Sequence, residues 1–218
     1  MPGTAGLSSR RPALAAMLVT AVVAASPASA SAAGHHDARA DALAFHDAMR
    51  ALWQSHGTWT ERAIVDFTGG LPDTQFAVDR LLRNQVEIGD AVKPFYGRRA
   101  GNRLTALLTE HIDRAVALLQ AAKSGDAGAT ATAKAAFYAN GRRIAGFLHA
   151  ANPHHWRLHA MRRMMRVHLD QVVGLAVDQL QGRYAEAVGL YDVYIDHILD
   201  MADMLSDGIM RQFPARFR

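Results

Sequence analysis

Three polar pairs recur along this chain at a nearly constant spacing, and each straddles a glycine. His56 and Asn84 stand 28 residues apart, His111 and Asn140 stand 29 apart, and so do His168 and His197. Their first members follow one another at steps of 55 and 57 residues. The midpoints fall at or beside Gly70, Gly125 and Gly182. A period of that length is one supersecondary unit per repeat. Apolar residues around each pair recur at three and four, the period of a helix buried on one face. Phe45, Met49, Leu52, His56 and Trp59 make one such stripe, and Leu104, Leu108, His111, Ala115 and Leu118 make another. The repeat reaches beyond the polar pairs: Leu52 aligns with Leu107 and Met164, and Leu81 with Phe137 and Tyr194.

Strand signals are missing, since no run alternates apolar β-branched residues with polar ones between turns. The breakers agree with helices. Gly69-Gly70-Leu71-Pro72-Asp73 ends one, with Asp73 placed to cap the next. Pro94 to Gly97, Ser124-Gly125-Asp126 and Gly182 mark further ends, and Asn152-Pro153 reads as a cap followed by proline in a first turn. The expectation is an all-α fold, a six-helix bundle built from three repeated antiparallel hairpins. Its helices are expected near 38–68, 74–93, 102–123, 128–151, 153–181 and 184–212. Residues 34–218 then form a single helical-bundle domain.

Residues 1–33 read as a signal peptide. Arg10-Arg11 precedes an apolar run from Pro12 to Ala25, and small residues end in Ala28-Ser29-Ala30. That is a charged start, a short apolar stretch and a cleavage signal. The run is too short for a spanning helix, so no transmembrane segment is expected in the mature chain. The expected location is secreted or cell envelope in a bacterium. Removing the leader takes two arginines from 24 basic residues and leaves 20 acidic ones untouched, so the mature chain is nearly neutral. With no basic block carrying interleaved aromatics, nucleic acid is not an expected partner. Zero cysteine excludes thiolate nucleophiles and every Cys-based metal site.

If the hairpins close around one axis, His56, Asn84, His111, Asn140, His168 and His197 share a layer near mid-bundle. Each lies about 14 residues from its turn, roughly 21 Å along a helix. Four imidazoles in a dry interior each need a partner, because an unpaired buried polar group costs about 1–3 kcal/mol. One metal ion satisfies several at once. Neutral imidazole suits a divalent transition metal such as zinc or copper, so His56, His111, His168 and His197 are the candidate metal ligands. Asn84 and Asn140 would orient a ring or hold a bound molecule. The rival is a structural or envelope-interaction bundle whose polar layer fixes helix register without any ligand. The third pair, with His197 where the others have asparagine, suits a purely structural layer less well.

Glu87 and Asp200 each follow a layer residue by three positions and could add a ligand or anchor a ring. Asp196, Asp200, Asp203 and Asp207 form an acidic stripe expected to face solvent or bases such as Arg162 and Arg166. A second histidine group, His149, His154, His155 and His159, falls at the junction after the fourth helix; His155 and His159 stand at i, i+4. Neither E-x-x-H nor H-E-x-x-H occurs, which disfavours di-iron and common zinc-peptidase sites. There is no G-x-S-x-G, P-loop or G-x-G-x-x-G, so enzymatic chemistry is not the expectation.

From Trp53 onward the chain resembles a poorly characterised family of small bacterial all-helical proteins. The resemblance lies in Trp53, His56, Trp59 and Thr60, then Arg80-Leu81-Leu82-Arg83-Asn84, Pro94-Phe95-Tyr96-Gly97 and Glu110-His111-Ile112. Tyr138-Ala139-Asn140, Asn152-Pro153-His154-His155-Trp156 and Met201-Ala202-Asp203 extend it. Members are sometimes labelled glycosyltransferase, but this chain carries no α/β nucleotide-binding pattern. That family often has an acid soon after the asparagine of its fourth helix, where this chain has Gly141-Arg142. The resemblance implies the helical fold and no particular activity.

Overall fold

A computed structural model describes residues 27–217, with side chains from residue 39 onward. The signal peptide expected over 1–33 lies outside these residues except at its last few positions. The described residues are all-helical, without strands. Five helices form: α1 (Pro27–Gly69), α2 (Thr74–Ser124), α3 (Ala127–Ala151), α4 (Leu158–Leu180) and α5 (Tyr184–Gln212), followed by a short 3-10 turn at Pro214–Phe217. No described helix is long and apolar enough to cross a membrane.

Among the described residues the helix count is therefore five and not the expected six. The segments expected as separate helices at 74–93 and 102–123 both lie in α2. Pro94 sits inside that element, and the backbone leaves helical dihedrals at Gly97, with φ 81° and ψ 165°. Proline removes one donor and crowds the preceding turn, but it does not forbid helix on its far side. The arms on either side of Gly97 touch. A side chain on Gly89 would meet the Gly101 carbonyl oxygen at 2.9 Å and the Thr105 hydroxyl at 1.9 Å.

Glycine makes the other turns. Gly70, Gly125 and Gly182 all have φ near +70°, the left-handed conformation that ends a helix most cheaply in glycine. At α1 the Leu71 amide donates to Asp66 O at 2.8 Å and the Gly70 amide to Phe67 O. At α4 Arg183 donates to Asp178 O and Gly182 to Gln179 O. Both are paired closures of the last helical carbonyls. Asp126 caps α3 through the Ala129 amide at 2.8 Å. Asp73 does not cap α2 with its side chain; Arg62 holds that carboxylate instead.

The junction after α3 also departs from expectation. Asn152 closes α3, and α4 begins only at Leu158. The Asn152 side chain donates its Nδ2–H to Gly208 O on α5 at 2.8 Å, and its Oδ1 accepts from the His155 backbone amide. This pins the Pro153–Arg157 bend against α5. Trp156 is buried there and donates its indole N–H to Met204 O. Gly208 leaves the room: a β-carbon on it would lie 2.0 Å from the Trp156 indole nitrogen.

Each helix packs on its chain neighbour, and α5 packs back on α1, so the ring of helices closes. Phe45, Phe95, Tyr96, Phe213 and Phe217 cluster at one end, with contacting ring centroids 5.0–5.7 Å apart. The Gly70, Gly125 and Gly182 turns lie along the chain far from these rings. The apolar interior between holds the histidines.

Candidate functional site

Five of the six layer residues, His56, Asn84, His111, Asn140 and His168, are at most 4% exposed. His197 is partly buried. Three hydrogen bonds of one kind cross between helices. Asn84 Nδ2 donates to Leu52 O at 3.0 Å, Asn140 Nδ2 to Leu107 O at 3.2 Å, and His197 Nε2 to Met164 O at 3.1 Å. Each acceptor lies one helical turn before His56, His111 or His168. The second polar residue of every pair thus ties its helix to the turn that presents the first.

These anchors decide what each histidine can offer. With its nitrogen fixed on Leu107, Asn140 turns its amide oxygen to His111, whose Nδ1–H donates to it at 2.9 Å. The proton is then on Nδ1, and Nε2 keeps a lone pair. His56 has the opposite arrangement. Gln85 Nε2, identified as nitrogen by its 2.7 Å bond to Leu81 O, lies 3.2 Å from His56 Nδ1. His56 Nδ1 therefore accepts, and its proton is on Nε2. Gln85 is fully buried and also reaches the Asn84 oxygen at 3.3 Å. Sequence reasoning missed it, although a glutamine four residues after Leu81, and so one helical turn along the same face, was the available signal.

His168 is the exception. His197 brings no oxygen to it, and its Nδ1 is buried with no hydrogen-bond partner among the described residues. Its ring lies 5.8 Å from that of His56 and 5.9 Å from that of His111, centroid to centroid. Tyr194 stacks on it at 5.7 Å, as Phe137 stacks on His111 at 4.6 Å. All three imidazoles border each of two apolar cavities, of about 50 and 30 Å³. The larger is also bordered by Thr60, whose buried hydroxyl has no partner either. A cavity needs about 10–15 Å³ to take a water, so both have room for a small guest.

All three rings are neutral at neutral pH. Burial holds His56 down at about 3, and the neighbouring His111 adds to the effect. Burial holds His111 at about 4 against the helping bond from Asn140. His168 is pushed well below the ordinary value by burial, then by His56, His111 and His197. Neutral rings leave lone pairs for a guest, and the layer offers both kinds of contact: a donor at His56 Nε2 and an acceptor at His111 Nε2.

Two of the other candidate ligands, His197 and Glu87, are engaged elsewhere. His197 gives Nε2 to Met164 O, which removes that nitrogen from a shared site. Glu87 pairs with Arg80 at 3.2 Å. On the acidic stripe Asp203 binds Arg50 at 2.6 Å and His46 at 3.0 Å, both on α1, rather than Arg162 or Arg166. Among the described residues no group of three or more His, Asp or Glu side chains stands ready around a point that could hold a metal ion. In the second histidine group, His149 donates to Trp156 O at 2.9 Å. His155 precedes α4 while His159 lies within it, so the expected i, i+4 pair is not on one helix.

No protein-family model, curated protein or solved structure matches the chain.

Proposed function

We propose that this chain is an exported helical bundle that binds a metal ion or small polar ligand in its mid-bundle imidazole layer, between His56, His111 and His168. One observation carries the reading: the buried, unpartnered Nδ1 of His168, set between two neutral imidazoles beside two cavities. An orphaned polar atom in a closed interior calls for a partner. A small polar guest takes a hydrogen bond from His56 and gives one to His111. A zinc- or copper-class ion takes the lone pairs of His111 and His168, and its binding draws the rings together by rotation in the adjoining space. The Asn140–His111 bond supports this, because an outer partner that fixes the tautomer is a usual feature of ligating histidines.

The three matched hydrogen bonds from Asn84, Asn140 and His197 support a duplicated hairpin as the origin of the layer. They also favour the second reading, in which the layer sets helix register and holds nothing. Native mass spectrometry of the untagged mature protein, before and after incubation with Zn(II) and Cu(II), separates the two. The binding reading expects one stoichiometric added mass that His168→Ala and His111→Ala both lose. A bare-chain mass under every condition favours the register reading.

A further inference from the structure

We propose that the cleft between α3 and α4 is a binding site for a phosphate-type anion, independent of the histidine layer. The cleft is about 330 Å³ in volume and is bordered by Arg142 and Tyr138 on α3 and by His159, Arg162, Arg163 and Arg166 on α4. The α4 residues stand at i, i+3, i+4 and i+7, so they share one helix face. All four arginines are exposed.

This concentration of charge does not follow from the composition, which is nearly balanced once the leader is set aside. It also opposes the local physics of the helix. Like charges three and four apart destabilise a helix. The first turn of α4 holds no acidic residue to offset them. Neighbouring carboxylates are already engaged: Glu110 pairs with Arg143, and Asp170 pairs with Arg166. Arg142, Arg162 and Arg163 make no ion pair among the described residues. A phosphate, with several oxygens, accepts guanidinium forks from two helices at once, which one carboxylate does less well. The volume suits a headgroup-sized ligand.

The same chemistry is found in a soluble phosphorylated solute and in an anionic lipid headgroup. Calorimetric titration with inorganic pyrophosphate tests the first, and flotation with phosphatidylglycerol vesicles against phosphatidylcholine vesicles tests the second. The variants are Arg142→Gln/Arg163→Gln in the cleft and Arg98→Gln/Arg99→Gln as an exposed control that removes equal charge elsewhere. Saturable binding of pyrophosphate, of phosphatidylglycerol vesicles or of both is expected, with affinity at least tenfold weaker in the cleft variant and unchanged in the control. Pyrophosphate binding points to a soluble solute, and vesicle binding alone points to a headgroup. No binding in either arm, or equal loss in both variants, overturns the proposal.

Discussion

His168 differs from its two neighbours by one missing side-chain amide partner. Asn140 gives an amide oxygen to His111 and Gln85 gives an amide N–H to His56, but His197 gives its nitrogen to Met164 O and leaves His168 open. Burial then makes all three rings resist protonation. The folded-state pKa values of His56, about 3, and His111, about 4, lie below the ordinary 6.5. Between these limits the unfolded chain binds protons that the folded chain excludes. Their contribution is therefore intact above about pH 6.5 and is lost as the pH falls toward 4. The slope is about 1.4 kcal/mol per pH unit for each such histidine. Urea unfolding at a series of pH values checks this: stability should fall steeply from pH 6.5 to 4.5, and His111→Gln should make the fall shallower. A wild-type stability that stays flat across that range would contradict the burial of neutral rings.

At the scale of the element, glycine decides where the chain can turn. The left-handed residues at Gly70, Gly125 and Gly182 were legible because each sits beyond a helical stripe with nothing else to end it. The break at Gly97 was legible as a break, but helical bonding resumes beyond Pro94, and the two arms hold together at Gly89 and Gly101. Gly97 has φ 81° and ψ 165°, a region that only glycine enters at low cost, and a β-carbon there meets nothing within 4 Å. Gly97→Ala should therefore cost about 1–3 kcal/mol from backbone strain alone. Gly146→Ala, equally free of neighbours but helical, should gain about 0.5–1 kcal/mol. Chemical denaturation of the two variants checks the contrast; equal effects would remove the conformational explanation. Asn152-Pro153 does open a capped turn, with the Asn152 side-chain oxygen accepting from the His155 amide, but α4 begins only at Leu158 because the Asn152 Nδ2 bond to Gly208 O and the buried Trp156 hold the intervening bend against α5.

At the scale of the whole molecule, α5 packing on α1 closes the ring and gathers His56, His111 and His168. The even spacing along the sequence pointed to these residues, since residues equidistant from a turn meet in an antiparallel pair. It could not show that His197 faces a backbone carbonyl, nor which ring nitrogen carries a proton. Those depend on a single hydrogen bond each. The basic cleft was hidden for another reason: Arg142 lies on α3 and Arg162, Arg163 and Arg166 on α4, and only the packing of the two helices brings them together. The most direct test of the layer is the histidine side-chain nitrogen spectrum by NMR at neutral pH, followed through a titration with Zn(II). The account predicts three neutral rings, with the proton on Nδ1 in His111 and on Nε2 in His56. It further predicts that the His168 and His111 signals shift together to a one-to-one endpoint while His197 stays in place. Rings that titrate near 6.5, or a His168 signal that no addition moves, would contradict it.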